Sequence, residues 1–600
     1  MTLRAPCFAL ILLAALAAHA DTAVPVVPVV PVVPLAPEAS SGLTAKPGWA
    51  VKRFAVAAAN PLAVDAGYQI LRAGGSAVDA AVAVQMVLSL VEPQSSGIGG
   101  GAFLMTWDGQ SVQAWDGRES APAAAKPTLF LRPNGQPMTV PEAIVGGLSV
   151  ATPGAVAMLA AAHRQQGKLP WATLFQPAIA LAAAGFPVSP RLHALLASER
   201  PLRQAQQAAP YFFDEQGEPR PVGYVLKNPA LAAVLRSIAD KGPAAFYGGP
   251  VAADMARRVQ GHTRPGLMTE ADLAAYQPVQ REALCGAWLH YKICGFPPPS
   301  SGQLTILQIL KIIEAKGFTG EPLIQRKPGV PWLHLYTEAS RLAFADRAQY
   351  IADPAFVTPP GGDWQTLLDA NYIRQRAALI GPVSMKVATA GQPAGVEISH
   401  AAQPDQAEFG TSHISIVDAE GRAVAMTTSI EAGFGSRIMS DGGTGLAGGF
   451  LLNNTMTDFS MAPNGADGLP VANRAEPGKR PRSSMSPTLV FNAKDGRLLM
   501  TVGAPGGPAI IHFTAKTLIA SLAWGLNLQQ AVDMPNFGSF NGPTILEKGG
   551  FAPATAAGLR ALGHQVYEVE LTSGLQGIQR TPTGWFGAAD PRREGVVKGD

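Results

Sequence analysis

A threonine hydroxyl is the first group in this sequence whose surroundings suggest chemistry. Thr411 follows Gly410 at the end of a polar stretch and opens the alternating segment TSHISIVD. A hydroxyl nucleophile needs a base, an oxyanion hole and a means of holding its substrate. The GxSxG elbow of the Ser-His-Asp hydrolases is not evident in the chain. An N-terminal threonine supplies the base differently, because its own α-amine, with a reference pKa of about 7.7–8.0, lies beside its hydroxyl.

A free amine at Thr411 requires a cut between Gly410 and Thr411. Attack of the Thr411 hydroxyl on the Gly410 carbonyl would move the acyl group from nitrogen to oxygen, and water would then hydrolyse the ester. Gly410 has no side chain to obstruct the distorted peptide that this attack needs. By its pattern alone, the same segment is more typical of an ordinary half-buried strand. The local residues therefore leave both interpretations open.

Seven ordered blocks of the sequence resemble the γ-glutamyltransferase (glutathione hydrolase) proenzymes, a family of N-terminal-nucleophile hydrolases. The processing block contains Thr411-Ser412-His413, Gly421, Val424, Thr427, Ser429-Ile430-Glu431 and Phe434-Gly435. The other blocks are VEPQSSGIGGGAF (91–103), DGRESAP (116–122), PPPSSG (297–302), LLNNTMTDFS (451–460), KRPRSSMSPT (479–488) and GAPGG (503–507). The resemblance covers most of residues 51–600. It implies an α/β fold, a four-layer αββα sandwich built jointly by two chains cut from one precursor.

The same resemblance implies the reaction and its machinery. The family hydrolyses or transfers the γ-glutamyl group of glutathione and related compounds, with water, amino acids or peptides as acceptors and no cofactor or metal. Thr411 matches the self-processing nucleophile, and Ser429 stands where a second threonine usually hydrogen-bonds that nucleophile. Gly506 and Gly507 match the paired glycines whose N–H groups form the oxyanion hole, and such preorganised donors stabilise the charge that develops in the transition state. The plainer interpretation of this PGG segment is a simple turn.

Recognition of an α-amino acid head group needs cations and donors for its carboxylate and anions for its ammonium. Arg118 matches the family arginine that grips the α-carboxylate, a task suited to a guanidinium fork. Ser483 and Ser484 match donors to the same carboxylate, and Asp458 matches the acid that pairs with the α-ammonium. On composition alone, each of these four would be an ordinary surface residue.

Three features depart from the family pattern. Glu431 stands where members usually have Asn, although Glu is known there, and Thr455 stands where they carry Gln or Glu at a contact to the ammonium. The segment 461–478, where many members have an active-site lid, contains no aromatic residue. These departures leave a second acyl group open, the glutaryl group of the related cephalosporin acylases. A third hypothesis is a non-catalytic, unprocessed homologue that acts as a binding protein.

The elements around these residues begin with two predicted helices over 61–90, broken at Gly74-Gly75. The glycine-rich run 97–101 then leads into an apolar strand, 102–107. A dinucleotide fingerprint needs a strand before its glycines and a helix after them. Because the order here is reversed, the run does not indicate a nucleotide cofactor.

Farther along the chain, the pattern predicts helices within 150–260 and over 302–316, then an exposed loop over 380–410. A hairpin should follow, with strands 411–418 and 423–430 joined by a turn at Glu420-Gly421. The strand that begins at Thr411 is therefore expected to pair with the strand that carries Ser429.

Composition limits the broad class of this protein. The chain has 600 residues, of which 47% are apolar and 15% charged, with 64 glycines and 52 prolines. These values exclude a disordered polyelectrolyte, a coiled coil and a disulfide-rich scaffold. A formal net charge of +3 gives no indication of nucleic acid or of an anionic membrane as a partner. The expected division is a large subunit, 51–410, and a small catalytic subunit, 411–600.

The N-terminus has the features of an export signal. Arg4 precedes an apolar run from Phe8 to about Ala17, and Ala18-His19-Ala20 provides a small-x-small cleavage site. Residues 1–20 are therefore predicted to be a signal peptide, and the Pro-rich residues 21–50 a disordered spacer. No later segment reaches about 18 uninterrupted apolar residues, so stable membrane insertion is not expected. The predicted location is periplasmic or secreted.

Removal of the signal would leave two cysteines, Cys285 and Cys294, in a segment with roughly alternating polarity. Two short strands there could bring the sulfurs within bridging distance, and an oxidising compartment would permit a disulfide. Two separate buried thiols fit the sequence nearly as well. The chain has no paired CxxC and no HExxH, so its sequence does not indicate a metal site.

Overall fold

The structure is a computed structural model, and it describes residues 1–2, 40–404, 406 and 410–600. The predicted signal sequence from residue 3 onward, and the spacer as far as residue 39, lie outside the described residues. The elements below all belong to the compact unit Pro34–Asp600. Its first strand, Trp49–Val51, begins two residues before the predicted start of the large subunit at residue 51.

The structure contains short and long strands distributed along the whole unit. In chain order they are β1 Trp49–Val51, β2 Ala55–Ala58, β3 Gly101–Trp107, β4 Val112–Gly117, β5 Phe186–Pro187, β6 Val225–Leu226, β7 Val279–Arg281, β8 Leu284–Trp288, β9 Tyr291–Gly295, β10 Leu323–Ile324, β11 Lys327–Pro328, β12 Ser412–Val417, β13 Ala423–Ser429, β14 Met439–Ser440, β15 Phe450–Leu451, β16 Thr488–Asn492, β17 Leu498–Gly503, β18 Phe537–Gly538, β19 Thr544–Glu547, β20 Val566–Val569, β21 Gln576–Thr581, β22 Gly584–Ala589 and β23 Val596–Gly599.

The helices lie mainly in three runs between these strands. In chain order they are α1 Pro61–Arg72, α2 Ala77–Val91, α3 Val140–Ile144, α4 Ala155–Gln166, α5 Gln176–Ala184, α6 Pro190–Ser198, α7 Arg200–Arg203, α8 Ala209–Phe212, α9 Pro229–Lys241, α10 Ala244–Tyr247, α11 Gly249–Gln260, α12 Glu270–Ala275, α13 Gly302–Lys316, α14 Val330–Tyr350, α15 Ala370–Ala378, α16 Ala509–Leu522, α17 Leu528–Asp533 and α18 Pro553–Ala561.

Two seven-stranded antiparallel sheets form the centre of the molecule. Sheet I has the order β1-β22-β21-β17-β16-β9-β8, and sheet II has the order β23-β2-β12-β13-β3-β4-β7. One apolar cluster fills the space between the sheets. A second packs the outer face of sheet II against α1, α2, α4 and their neighbours, and a third packs the outer face of sheet I against α13, α14 and α16. These layers are the predicted αββα sandwich, which the structure confirms.

The sequence of β12 explains how one strand serves two layers. Ile414 and Ile416 belong to the cluster under the helices, since alternate side chains of a strand face opposite sides. Ser415 points the other way and donates to the carbonyl of Gln576 in sheet I at 3.3 Å. His413, beside it, bonds the hydroxyl of Thr427 at 2.9 Å, and burial lowers its pKa to about 3. The interior between the sheets therefore holds a neutral, hydrogen-bonded polar seam.

The predicted helix pair and glycine run are confirmed. Asn60 caps α1 with its side chain, and Ser76 forms a capping box at the start of α2, so each helix has a defined N-terminus. The glycine run then passes directly into β3, in the order that the sequence predicts.

The predicted hairpin is also confirmed, as β12 and β13 pair from Ser412 opposite Thr428 to Val417 opposite Ala423. The predicted loop before it is present too. Among the described residues between α15 and β12, none lies in a helix or a ladder strand, and most are exposed. Cys285 and Cys294 lie opposite each other on β8 and β9 and form a disulfide.

Within the ranges that the structure describes, no helix combines the length and apolarity that a bilayer crossing would need.

Candidate active site

The hairpin of β12 and β13 brings the two predicted hydroxyls together at one end of sheet II. Thr411 directly precedes β12 and Ser429 ends β13, so the register that pairs Ser412 with Thr428 sets Thr411 beside Ser429. Thr411 is 3% exposed and Ser429 4%. Each hydroxyl donates a hydrogen bond of 2.6 Å to the carbonyl oxygen of Gly410. The bond predicted to be cut therefore carries two hydroxyl donors on its carbonyl.

A backbone amide fixes the direction of the Ser429 hydroxyl. The N–H of Glu431 donates to Ser429 Oγ at 2.7 Å, so the hydroxyl proton is free to point at Gly410. Glu431 adopts a left-handed conformation with φ 76°, which is uncommon outside glycine, asparagine and aspartate. Its carboxylate accepts a hydrogen bond from the side chain of Asn454. Glu431 is thus held at both its backbone and its side chain.

The predicted oxyanion glycines lie between β17 and α16. Gly506 and Gly507 have φ values of 131° and 56°, conformations that side-chain-bearing residues rarely adopt. A methyl group at Gly506 would lie 2.7 Å from the ring of Phe513, so the space there also excludes a side chain. The N-terminus of the 14-residue helix α16 follows at once, and its dipole favours negative charge at this point. The backbone conformation of the PGG segment therefore requires its glycines, and the segment lies where the N-terminus of α16 favours an anion.

A single pocket gathers most of the predicted residues. The residues that line it are Arg118, Thr411, Ser429, Glu431, Asp458, Ser483, Ser484, Met485, Gly507 and Ile510. Of the ten predicted site residues, Gly506 and Thr455 are absent from this lining. Gly506 is the chain neighbour of Gly507, whereas Thr455 lies elsewhere.

Among the described residues that line this pocket, Arg118 is the only cation. It is held from several sides. Its guanidinium forms an ion pair with Asp458 and lies 3.3 Å from Glu119. Its Nε donates to the carbonyl of Pro481 at 3.2 Å. Since its side chain is only 2% exposed, the direction of the guanidinium is determined by these partners.

Thr455 contributes to this support and not to the pocket wall. It lies in a short 3₁₀ turn, Thr455–Asp458, and its hydroxyl donates to Oε1 of Glu119 at 2.8 Å. Glu119 is fully buried, and burial raises the pKa of its carboxyl group. At the position where the family's Gln or Glu contacts the ammonium, Thr455 therefore bonds an acid behind Arg118.

Ser483 and Ser484 of the KRPRSSMSPT block are held by two residues, Ser301 and Arg347, that the sequence does not predict as site residues. Arg347 of α14 donates to Ser484 Oγ at 2.7 Å and to Ser301 Oγ at 2.8 Å. Ser301 in turn donates, through both its hydroxyl and its N–H, to the carbonyl of Ser483. Ser301 lies in the PPPSSG block, so the resemblance to the family could have identified it as a site residue. Arg347 lies in none of the seven blocks, so no local sequence feature identifies it.

A second acid network supports the same loop from outside. Asp116 accepts from Arg480 at 2.7 Å and from Arg281 at 2.7 Å, and its carboxylate also caps the N–H of Arg118 at 2.8 Å. Asp353 accepts from the N–H of Arg480 at 2.9 Å. These bonds join the DGRESAP and KRPRSSMSPT blocks, which are far apart in sequence.

The described residues include one cluster with the residue types of a metal site, His334, Glu338 and His564. The two imidazoles bond each other directly, with Nδ1 of His334 2.7 Å from Nε2 of His564. Glu338 already accepts from Arg341, from Ser384 and from the N–H of Met385. Burial lowers the pKa of His564 to about 3. None of the three lines the pocket, and their ligand atoms are engaged in a hydrogen-bond network.

Known proteins are similar to this chain over about nine-tenths of its length. A glutathione hydrolase proenzyme of Bacillus subtilis (strain 168) is 35% identical over 556 residues, which is 91% of each chain. One of Escherichia coli (strain K12) is 35% identical over 559 residues, 90% of each chain. The crystal structure of a cephalosporin acylase from Bacillus halodurans superposes with a TM-score of 0.79 at 27% identity, covering 93% of this chain and 97% of that one.

The sequence model of the family described as Gamma-glutamyltranspeptidase matches residues 63–600. This range includes both sheets apart from the first two strands, and every residue of the pocket. The chain therefore belongs to the gamma-glutamyltranspeptidase family.

Proposed function

We propose that this protein is a γ-glutamyl hydrolase and transpeptidase that is synthesised as a precursor and cuts itself between Gly410 and Thr411. Its strongest support is the pair of hydroxyls on the Gly410 carbonyl. The oxygen of Thr411 attacks the carbonyl carbon, and the carbonyl oxygen becomes an oxyanion held by Ser429. The C–N bond then breaks as the proton from the Thr411 hydroxyl passes to the leaving nitrogen, and an ester between Gly410 and the Thr411 oxygen remains. Water then hydrolyses the ester, leaving a carboxylate on Gly410 and a free amine on Thr411.

The mature enzyme uses the same hydroxyl on its substrate. The new α-amine of Thr411 takes the hydroxyl proton while the oxygen attacks the γ-glutamyl carbonyl. The N–H groups of Gly506 and Gly507 stabilise the oxyanion, and the protonated amine passes its proton to the leaving amine. A γ-glutamyl ester on Thr411 remains, and water or the amine of an acceptor amino acid or peptide resolves it.

The charges of the pocket fit the two ends of the γ-glutamyl head group. Arg118, with the hydroxyls of Ser483 and Ser484, provides the donors for an α-carboxylate. Asp458 and Glu431 provide two carboxylates for an α-ammonium. The described lining has one cation and two anions. This excess of negative charge favours a head group that carries an ammonium beside its carboxylate over one that carries only a carboxylate.

A glutaryl acylase is the second candidate, because the cephalosporin acylase of Bacillus halodurans shares the fold. Glutaryl and γ-glutamyl groups differ only in the α-amine, so the two anions of the pocket decide between them. A glutaryl group would add its carboxylate charge beside these two anions and offer no ammonium to offset it. A site built to bind a charged substrate group rejects the analogue that lacks this group by about 10²-fold or more. The pocket therefore favours the γ-glutamyl group.

The test compares γ-glutamyl-p-nitroanilide with glutaryl-p-nitroanilide on the purified, processed enzyme. We expect kcat/KM to be at least about 10²-fold higher for the γ-glutamyl compound. Equal or faster turnover of the glutaryl compound would instead assign the acylase activity. A chain that stays uncut and turns over neither substrate would be the non-catalytic binding protein.

We also propose that the enzyme acts outside the cytoplasm, in the periplasm or as a secreted protein. The charged residue, apolar run and small-x-small site within residues 1–20 support this. N-terminal sequencing of the large chain from a cell fraction tests it, with a start near residue 21 expected. A large chain that retains Met1 would contradict export through this signal.

A further inference from the structure

A buried acid lies directly behind the candidate nucleophile. Glu92 is 1% exposed and follows the last residue of α2. Its Oε2 accepts a hydrogen bond of 2.9 Å from the hydroxyl of Ser412, the residue after Thr411. Its Oε1 lies 3.6 Å from Nε of Arg191, which is also 1% exposed. A buried carboxylate is unfavourable unless it is paired and hydrogen-bonded, and Arg191 and Ser412 supply both interactions.

Ser412 is the point at which the nucleophile is attached to the sheet. It is the first residue of β12 and pairs with Thr428. Its hydroxyl also accepts a hydrogen bond of 3.3 Å from Ser96. Ser412 is thus bonded through its side chain to two residues of the turn that follows α2, Glu92 and Ser96, and is fully buried.

The same turn contacts the other strand of the hairpin. The carbonyl of Ser95 accepts a hydrogen bond of 3.2 Å from the N–H of Ile430, the residue after Ser429. The turn therefore contacts the strand ends that carry both hydroxyls of the site. A shift of this turn would change the distance between them.

The hydrogen bond between Glu92 and Ser412 matters most after self-cleavage. Once the bond to Gly410 is cut, Thr411 is the first residue of its chain, and Ser412 is its only covalent neighbour. Chain termini are poorly ordered unless they are tied down. Glu92 and Ser96 bond Ser412, and Arg191 pairs with Glu92. All three belong to the predicted large subunit, so this anchoring of Ser412 does not depend on the bond that is cut.

We propose that Glu92, paired with Arg191, is a positioning residue that holds Thr411 in its reactive place through the hydroxyl of Ser412. This inference rests on the proposed function, in which Thr411 is the nucleophile. Glu92 itself touches neither the pocket nor the substrate head group, since it is absent from the pocket lining. Its effect should therefore fall on the rate of the chemical step and not on substrate binding.

The direct test is the steady-state kinetics of Ser412→Ala and Glu92→Gln with γ-glutamyl-p-nitroanilide. Rates are normalised to the amount of free threonyl N-terminus, so that only processed enzyme is counted. Small misplacements of reacting groups cost about 10-fold to 100-fold in rate, and we expect kcat of both variants to fall by such a factor. KM should stay within about two-fold, because Arg118, Ser483 and Ser484 are unchanged.

Glu338→Gln is the matched control for loss of a buried acid. Glu338 forms an ion pair of 2.5 Å with Arg341, both side chains are at most 1% exposed, and the pair contacts the small subunit through Thr544. We expect Glu338→Gln to lower the melting temperature as Glu92→Gln does while leaving kcat of the processed enzyme unchanged. A merely structural role for Glu92 would make the two variants alike.

Three results decide the inference. A wild-type kcat in Ser412→Ala, or equal kcat in the Glu92→Gln and Glu338→Gln enzymes, would overturn it. If Glu92→Gln remains uncut, Ser412→Ala alone decides, since it leaves the ion pair in place. If the wild-type enzyme does not turn over γ-glutamyl-p-nitroanilide, the proposed function itself is wrong. This outcome is measured on the wild-type enzyme alone, so it is distinct from a failure of the role proposed for Glu92.

Discussion

At the scale of single residues, the direction of one hydrogen bond indicates the role of Ser429 in the proposed self-cleavage. Its oxygen accepts the N–H of Glu431, so its proton is left for the carbonyl of Gly410. The backbone of Glu431 is left-handed, with φ 76°. Asparagine enters this conformation more readily than most residues, which gives a physical reason for the asparagine that the family usually has here. Ser429 is therefore placed to stabilise the oxyanion of self-cleavage.

Replacement of Ser429 tests this assignment. Removing a single oxyanion donor costs about 10²–10³-fold in rate, and we expect Ser429→Ala to slow self-cleavage by such a factor. Ser429→Thr keeps the hydroxyl and should cut at close to the wild-type rate. The loss of the full-length chain with time on denaturing gels measures both. Cleavage of Ser429→Ala at the wild-type rate would show that this hydroxyl is not needed.

The sequence predicts the location of a site residue best where a whole block of sequence carries the resemblance. Arg118, Asp458, Ser483 and Ser484 were assigned from such blocks and line one pocket with Thr411. Thr455 was assigned in the same way, but its hydroxyl reaches the buried Glu119. Because the threonine side chain is shorter than Gln or Glu, it can bond only a nearer partner. The sequence alone does not show that this partner is Glu119.

At the scale of elements, the glycine-rich run 97–101 serves close packing of backbones. A methyl group at Gly100 would lie 2.1 Å from the carbonyl oxygen of Ser429, and one at Gly99 would lie 2.2 Å from that of Leu451. Such distances leave no room for any side chain. The run therefore lets the turn after α2 approach the end of β13, where Ser429 is held.

Gly100→Ala tests this close approach, with Gly97→Ala as its control. The alanine methyl would displace the Ser429 carbonyl, and overpacking of this kind costs about 1–3 kcal/mol of unfolding free energy. At Gly97 the nearest atom would be 3.8 Å away, an ordinary contact. We expect Gly100→Ala to be destabilised and slow to cut, and Gly97→Ala to resemble the wild type. Denaturant unfolding and gels measure both; equal behaviour of the two variants would contradict the packing explanation.

Elements were predictable where local signals agreed with the tertiary structure. The capped pair α1 and α2, the passage from glycines to β3, and the β12–β13 hairpin all follow from period and turn residues. The contacts that complete the site are different, because they join distant parts of the chain. Ser412 and Glu92 are 320 residues apart, and Arg347 and Ser484 are 137 apart. No periodicity links such pairs, so only the fold reveals them.

At the scale of the whole molecule, the two predicted chains share both sheets. In sheet II, β12 and β13 of the small subunit lie between β2 and β3 of the large subunit. In sheet I, small-subunit strands β22, β21, β17 and β16 lie between β1 and β9 of the large subunit. Neither chain could keep its core without the other. The cut therefore divides one folding unit and not two domains.

This interleaving predicts that the cut chains stay together. After self-cleavage, the two fragments should elute as one peak in native gel filtration and unfold in one transition. They should separate only in denaturant, because separation exposes the interior of both sheets. Fragments that part under native conditions would contradict a shared core.

The identity of the first residue of the small chain tests the central claim most directly. N-terminal sequencing of that chain from purified protein should read Thr-Ser-His-Ile, starting at Thr411. The Thr411→Ala protein should stay at full length and show no turnover of γ-glutamyl-p-nitroanilide. A wild-type small chain that begins at another residue, or an uncut wild-type protein that still turns over substrate, would contradict the assignment of Thr411 as the nucleophile of both reactions.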